Sequence, residues 1–298
     1  MGQGNAEGVT RLIVVTGATG RQGGAVSRRL LGEGWAVRAV TRKPASDKAA
    51  RLREAGAEIV QADMADPASL ARAFQGAYGV YNVQNPMVSG HDMEVVQGKN
   101  VADAASGAGV QHLVYGSAGP GTGGTGVLQW DAKVEIGEHM RGLGLPLTVL
   151  RPMAFMELMT DKGFYPSVST WHVMPKLLGW DYPVPWVCVE DLAVIAVAAF
   201  TRPTEFIGRD VEVAADLRSL AECRSLWREA TGRAPRGFPM PVPIFERFVG
   251  TDLPRMWRWL RTNRPAFDLQ ASREIHPGMR TVPDWIAEGR EPQRVRRS

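Results

Sequence analysis

Short apolar runs alternate with longer amphipathic stretches through the first half of the chain. The apolar runs predict six strands, at residues 12–15, 35–41, 57–61, 79–83, 112–117 and 147–150. The stretches between them predict helices that start near Arg21 and cover 47–55, 67–74, 92–106 and 129–141. Regular alternation of strand and helix is typical of a parallel sheet with right-handed crossovers. The pattern therefore predicts an α/β fold, a Rossmann-type doubly wound parallel sheet.

The second half is less regular and predicts a smaller C-terminal substrate lobe. Residues 187–200 predict a seventh strand and helix returning to the sheet, 216–232 an amphipathic helix ending at Gly232, and 235–243 an extended segment. Short helices are expected at 255–260 and 282–288. We predict a dinucleotide-binding domain of 1–153 plus 187–203, a lobe of 154–186 plus 204–290, and a disordered tail at 291–298.

Two segments bear on the active face. Residues 116–126 hold six glycines, which predicts a flexible loop. Residues 153–186 hold four Met, two Phe, two Tyr and three Trp. Such a cluster lines an apolar substrate pocket or forms the core of the lobe, and both interpretations stay open.

The first strand leads into a glycine turn that is typical of dinucleotide binding. Gly17 suits a tight turn, Gly20 lets the backbone approach a pyrophosphate, and Gly23 lets the helix lie close to the sheet. The helix that follows directs its free N–H groups and positive end at the phosphates. The turn follows a strand and opens a helix, which is the context that this motif requires.

The end of the second strand indicates which cofactor is preferred. An acidic residue there would bind the ribose 2′-hydroxyl of NAD, but Arg42 and Lys43 occupy the place. Cations suit a 2′-phosphate, and arginine can donate two hydrogen bonds to it. We therefore predict NADP(H) as the cofactor; the alternative is that both are solvated loop charges.

Composition narrows the function classes. The 298 residues include 44% hydrophobic and 22% charged residues, which is typical of a globular protein. The net charge of +4 is mild, and no DNA-reading motif occurs, so no direct nucleic-acid contact is expected. Two cysteines without CxxC spacing favour a reducing compartment, so we expect a cytoplasmic protein with no membrane span. No metal-ligand spacing occurs, so no metal is expected.

Several stretches together resemble the NmrA-like family, a branch of the atypical short-chain dehydrogenases related to isoflavone reductases. They are residues 15–24 (VTGATGRQGG), 37–44, 56–64, 98–105, 110–117 and 150–156, with His276-Pro-Gly near the end. The resemblance spans nearly the whole chain. The family contains both reductases and NADPH-sensing regulators.

The resemblance implies a set of cofactor contacts. It implies that the glycine turn, with Thr19, Arg21 and Gln22, binds the pyrophosphate, and that Arg42 and Lys43 bind the 2′-phosphate. It implies that Asp63 and Met64 contact the adenine and that Asn82, Val83 and Gln84 line the middle of the cofactor groove. The nicotinamide is expected beside Ala154, Phe155, Met156 and Glu157.

The usual catalytic pair of this superfamily, a Tyr four residues before a Lys, is incomplete here. Lys133 stands at the expected place, but Gln129 replaces the tyrosine. Lys133 is therefore a candidate proton donor or base; its alternatives are a ribose-binding lysine and a surface lysine. Ser117 is a candidate hydrogen-bond donor to a substrate carbonyl, or a residue that lines a turn.

Three functions fit these residues. The first is an NADPH-dependent oxidoreductase that reduces an apolar carbonyl, quinone or conjugated alkene, with a small apolar or aromatic substrate as its partner. The second is an NADPH sensor that binds a protein partner without catalysis. The third is a nonredox biosynthetic enzyme on the same fold. A homodimer is also compatible with the sequence.

Overall fold

The computed structural model describes residues 11–160, 169–235 and 240–289. These residues cluster into two compact units. The first takes the chain up to Gly116, with Ile136–Val149 and Ala196–Arg209, and the second takes Ser117–Glu135, Leu150–Ile195 and the chain from Asp210. The predicted tail at 291–298 lies outside the described residues, as does part of the predicted extended segment at 235–243. This division into units does not follow the domain boundary that we expect at residue 153. The expected domain boundary stays a prediction.

Ten strands among the described residues form two sheets. They are β1 Leu12–Val15, β2 Ala36–Thr41, β3 Glu58–Gln61, β4 Gly79–Asn82, β5 His112–Gly116, β6 Leu147–Pro152, β7 Ala154–Phe155, β8 Pro183–Val187, β9 Asp210–Val213 and β10 Asp216–Ser219. The main sheet has the order β3-β2-β1-β4-β5-β6-β9, and neighbours from β3 through β5 pair in parallel. The predicted doubly wound fold class is confirmed.

Fourteen α-helices occur among the described residues. They are α1 Arg21–Gly32, α2 Asp47–Glu54, α3 Pro67–Ala73, α4 Pro86–Ser89, α5 His91–Gly107, α6 Leu128–Gly142, α7 Met174–Leu178, α8 Val189–Thr201, α9 Pro203–Phe206, α10 Leu220–Thr231, α11 Val242–Val249, α12 Asp252–Asn263, α13 Leu269–Ile275 and α14 Val282–Glu288. A 3₁₀ turn at Met156–Met159 and a π turn at Ser169–Val173 complete the helical elements. None of the described helices is long and apolar enough to cross a membrane.

The seventh strand of the main sheet was wrongly predicted. The strand predicted at the start of 187–200 shares only Val187 with β8, and residues 189–201 form the helix α8. β8 lies in a small sheet of order β10-β8-β7, and the edge of the main sheet is β9. β9 reads Asp-Val-Glu-Val, so it alternates charged and buried apolar residues as a half-exposed strand does. An apolar run predicts a strand, but it does not say which sheet the strand joins.

The helix predicted at 216–232 begins later than expected. Residues 216–219 form β10, and α10 begins at Leu220 behind a capping box in which Ser219 and Glu222 bind each other's backbone N–H groups. Its predicted end is confirmed, because Gly232 adopts a left-handed conformation with φ of 74°. Residues 255–260 are the middle of a longer helix, α12, and 282–288 match α14.

Each unit has its own buried apolar residues. In the first unit, Val14, Val80 and Leu113 of the sheet pack with Leu70 of α3 and with Phe74, the residue that follows α3. In the second unit, most described members of the Met and aromatic cluster are buried: Phe155, Met156, Met159, Trp171, Met174, Tyr182 and Trp186. Their burial favours the lobe core over a pocket wall.

Candidate cofactor and active site

Glycine is required at one position of the turn between β1 and α1 and at one position in the first turn of α1. Gly17 has φ of +59°, and a Cβ there would lie 3.1 Å from the carbonyl oxygen of Val83. A Cβ at Gly23 would lie 2.7 Å from the carbonyl carbon of Gly17 and 2.9 Å from the carbonyl oxygen of Thr16. Gly20 donates its N–H to the carbonyl oxygen of Gly17 at 2.8 Å, which closes the turn. The glycines therefore let the helix start close against the strand.

The N-terminus of α1 is free of side-chain caps. Gly20 is the N-cap residue, so no side chain there accepts from the first N–H groups, and no acidic residue lies in the first turn. Those N–H groups and the positive end of a twelve-residue helix are therefore available to an anion. Thr19 is half-buried, Arg21 is exposed and Gln22 is half-buried at the same end. This arrangement fits a pyrophosphate.

A buried polar network joins the carboxyl ends of β1 and β4, where the strand order reverses. Thr16 donates its hydroxyl to Oδ1 of Asn82 at 3.1 Å and accepts the N–H of Val83 at 3.0 Å. Gln84 donates its amide to the same oxygen of Asn82 and lies 3.8 Å from the sulfur of Met64. In open α/β sheets this point of reversal is where ligands bind.

Two atoms of that network have no partner among the described residues. They are Nδ2 of Asn82 and Oε1 of Gln84, and both side chains are buried. One is a donor and the other an acceptor, so together they suit a ligand that carries both kinds of group, such as the ribose and amide of a nicotinamide nucleotide.

The ends of β2 and β3 lie side by side in parallel register, with Thr41 opposite Gln61. Arg42 and Lys43 follow β2 and are exposed, and the N–H of Lys43 donates to the hydroxyl of Thr41 at 3.1 Å. After β3, Asp63 accepts the N–H of Ala65 at 3.0 Å. The carbonyl of Met64 accepts the amide of Asn100 at 3.0 Å. The two exposed cations are thus placed at the same edge of the sheet as the glycine turn.

The tyrosines of this region do not replace the one missing at position 129. Tyr81 donates to the amide oxygen of Gln22 at 3.4 Å, and burial raises the pKa of Tyr81. Burial and the neighbouring Glu94 raise the pKa of Tyr115. A phenol that is harder to ionise is a poorer proton donor, so neither is suited to acid–base work near neutral pH.

The candidate catalytic residues lie in the second unit. Lys133 is buried, at 7% exposure, one turn beyond Gln129 on α6. The amide of Gln129 donates to the sulfur of Met256 at 3.3 Å. Ser117 is buried after β5, and its N–H donates to the carbonyl of Leu150 at 2.9 Å. Burial argues against a surface role for Lys133.

The segment expected beside the nicotinamide is a short strand followed by a 3₁₀ turn. Ala154 and Phe155 pair in parallel with β8, and Met156 is fully buried. Glu157 accepts the N–H of Val189 at 3.0 Å through one carboxyl oxygen. Burial raises the pKa of Glu157, against the effect of that hydrogen bond.

Sequence reasoning missed Asp191 and Arg280, which hold the His276-Pro-Gly segment. The fully buried carboxylate of Asp191 accepts the N–H of Arg280 at 2.7 Å and lies 3.6 Å from Nε2 of His276. The spacing between positions 191 and 280 gives no signal, because the pair forms only in the fold. Nearby, Cys188 is buried, and burial raises the pKa of its thiol to about 12. This cluster anchors the C-terminal segment.

The fold, the glycine turn and the polar network at the reversal of strand order define a dinucleotide-binding α/β protein. The sequence matches the NmrA-like family over residues 9–279. The chain belongs to that family, which confirms the resemblance predicted from its motifs.

Curated relatives and solved structures agree with this assignment. The NmrA-like family domain-containing oxidoreductase FrzB of Cladobotryum sp. is 31% identical, over 83% of this chain and 81% of the relative. Citrobacter sp. triphenylmethane reductase, complexed with NADP(H), is 20% identical with a TM-score of 0.76 over 93% of this chain and 99% of that one. NmrA, a negative transcriptional regulator, is 21% identical with a TM-score of 0.74 over 94% and 95% of the two chains. Both structures share the fold with this chain.

Proposed function

We propose that this protein is an NADP(H)-dependent oxidoreductase that reduces an apolar carbonyl, quinone or conjugated alkene. The observation that carries the proposal is the burial of Lys133, which holds an amine inside the protein on the helix where this superfamily places its catalytic lysine. The name of the FrzB relative and the NADP(H) complex of the Citrobacter reductase support the same class of activity.

The residues of the first unit fit the cofactor. The N-terminus of α1 binds the pyrophosphate, Arg42 and Lys43 bind the 2′-phosphate, and Asn82 and Gln84 offer their unpaired amide atoms. Arg42 and Lys43 stand where an NAD-binding protein has a carboxylate, so the phosphorylated cofactor is favoured.

Reduction of a polarised double bond needs a hydride and a proton. The bound reduced nicotinamide supplies the hydride. The proton is held at Nζ of Lys133 and passes to the oxygen of the product, and the lysine regains a proton from solvent. Ser117 orients the substrate oxygen by a hydrogen bond. Gln129, whose amide is held by Met256, takes no part in proton transfer.

Replacing Lys133 and Gln129 one at a time, and comparing the turnover of the two variants, tests this division of roles. NADPH oxidation is followed at 340 nm with a panel of quinones, enones and ketones. Lys133→Ala should lower turnover by at least about tenfold, as expected when an acid–base group is lost. Gln129→Ala, one turn away on the same helix, is the matched control and should change turnover little. Equal losses in both variants would contradict the assignment.

The second candidate, an NADPH sensor, is favoured by one observation: Gln129 stands in place of the superfamily tyrosine. Hydrogen exchange with and without NADPH separates the two. A preformed catalytic cleft predicts protection confined to the glycine turn, the strand ends and residues 154–157. Changes that spread through the helices after residue 204, with no turnover on any substrate of the panel, would favour the sensor.

A further inference from the structure

The first turn of α6, the helix that carries Lys133, has no cap from its own sequence. The residue before the helix is Val127, whose side chain has no hydrogen-bond acceptor. Asp131, inside the first turn, directs its carboxylate away from the helix, to the N–H groups of Thr125 and Gly126 at 3.0 and 2.9 Å. The N–H groups that begin α6 therefore need an acceptor from elsewhere in the chain.

That acceptor comes from α12. Asp252 accepts the N–H of Leu128 at 2.7 Å with one carboxyl oxygen and the N–H of Gln129 at 3.3 Å with the other. One turn further along α12, Arg255 donates to the carbonyl of Gly126 at 2.9 Å. The same helix contacts the side chain of Gln129 through Met256.

Aromatic packing holds the two helices in the same register. The rings of Trp130 and Trp259 meet edge to face, with centroids 5.3 Å apart and an angle of 82° between their planes. The side chains of α12 thus contact Gly126, just before α6, and the first three residues of α6, Leu128, Gln129 and Trp130.

We propose that Asp252 is a positioning residue that fixes Lys133 in its working place by capping α6 in trans. Helical side chains point back towards the N-terminus of their helix, so the position of Nζ on Lys133 depends on the turn that contains Leu128 and Gln129. A carboxylate at the positive end of the helix also holds that turn by charge. The inference rests on the proposed function, which makes Lys133 the proton donor.

A double-mutant cycle between positions 252 and 133 tests the proposal. Asp252→Ala should lower kcat by about tenfold, as for loss of a working acid–base group, and should lower kcat much less in the Lys133→Ala background. Asp252→Asn keeps an oxygen that can accept one backbone N–H, so it should restore part of the lost turnover. A purely structural cap would lower kcat by the same factor in both backgrounds.

A matched control shows whether losing any helix cap lowers kcat or whether only loss of the Asp252 cap on α6 does. Asp268 accepts the N–H groups of Gln270 and Ala271 at 2.9 and 3.3 Å and so caps α13 with similar geometry. Asp268→Ala should lower the thermal midpoint by a similar amount but leave kcat within about twofold, since it removes a cap without touching α6. Equal losses of kcat in Asp252→Ala and Asp268→Ala would overturn the proposal.

The test also distinguishes failure of the inference from failure of the proposed function. If the unmodified protein oxidises no NADPH with any substrate, the reductase proposal fails. The same cycle is then measured on the Kd for NADPH, followed by quenching of tryptophan fluorescence. Coupled losses at 252 and 133 support positioning of Lys133 towards the cofactor, and independent losses overturn it.

Discussion

The hydroxyl of Thr16 lies 3.1 Å from Oδ1 of Asn82 and joins the ends of two neighbouring strands. Both residues are fully buried, and the backbone N–H of Val83 donates to the same hydroxyl. The Thr16 side chain thus joins the turn after β1 to the Asn82 amide, whose Nδ2 has no partner among the described residues.

Thr16→Val should lower both stability and cofactor affinity. The change keeps the shape of the side chain but leaves the N–H of Val83 without its acceptor, at a cost of about 1–3 kcal/mol in the free energy of unfolding. Urea denaturation and NADPH titration measure the two effects. Thr16→Ser keeps the hydroxyl and is the control, which should bind NADPH as the unmodified protein does. A valine variant with normal affinity would show that the network is not part of the site.

Replacing Arg42 and Lys43 by alanine should remove the preference for NADP(H) over NAD(H). If two charge-assisted hydrogen bonds are lost, discrimination should fall by about 2–4 kcal/mol. Calorimetric titration of both cofactors gives the difference. Lys48→Ala with Arg51→Ala removes the same charge from α2 and should leave the preference in place. Equal affinity for NAD and NADP in the unmodified protein would refute the prediction.

Substitutions at Gly20 and Gly23 should have different effects. A Cβ at Gly23 would overlap backbone of the turn, so Gly23→Ala should cost about 1–3 kcal/mol of stability, as overpacking does, and should also weaken binding. Gly20 has an ordinary φ of −83°, and its Cβ would lie 3.0 Å from the carbonyl oxygen of Gly17. The ordinary φ means that a side chain at position 20 should leave the sheet folded. Gly20→Val should nevertheless abolish cofactor binding, because the side chain would stand where the pyrophosphate approaches the backbone. Circular dichroism with NADPH titration checks both, and normal NADPH affinity in Gly20→Val would place the phosphate elsewhere.

Stability should fall in mild acid because of His112. Burial lowers the pKa of His112 from 6.5 to about 4, and its Nε2 lies 2.8 Å from the hydroxyl of Thr148. The unfolded chain binds a proton at this residue between pH 6.5 and 4 and the folded chain does not. Protonation therefore favours the unfolded state as the pH falls below about 6.5. The free energy of unfolding should decrease between pH 6.5 and 4 by up to about 3 kcal/mol, and His112 should have no effect on it above pH 6.5.

The test is the pH dependence of urea denaturation in the unmodified protein and in His112→Asn. The variant should be less sensitive to pH over this window, because one proton uptake on unfolding is removed. Identical pH dependence in the two proteins would show that His112 is not the responsible group.

Local patterns were sufficient for six of the seven strands of the main sheet, β1 to β6, and for the glycine turn. The run from Leu12 to Val15 and the helix beginning at Arg21 occur where the sequence predicts them, because strand propensity, glycine placement and helical periodicity agree there. The same agreement predicted the limits of α14, at Val282 and Glu288.

Short polar strands could not be predicted in this way. β9 and β10 carry Asp210, Glu212, Asp216 and Arg218, and four-residue segments with charges lack the apolar run that signals a strand. Their partners decide their structure: β10 pairs antiparallel with β8, and Glu212 of β9 accepts the N–H of Asp268 at 3.1 Å.

The candidate site divides along the same line. Residues of the glycine turn are adjacent in sequence and carry a recognisable spacing, so Gly17, Gly20 and Gly23 could be assigned from the sequence. The contact of Asp252 with Leu128 could not be predicted, because no motif around Asp252 indicates that its carboxylate caps α6. Contacts formed only by folding carry no local signal.

The contact of Asp252 with Leu128 also sets an order of events during synthesis. The two residues are 124 positions apart, so a nascent chain that has released α6 from the ribosome still lacks the carboxylate that completes it. At translation rates of 5–20 residues per second the delay is roughly 6–25 s. During that interval the N–H groups of Leu128 and Gln129 lack this acceptor, so the first turn of α6 is open to fraying. The cap on α6 therefore forms only after the chain has been made as far as α12.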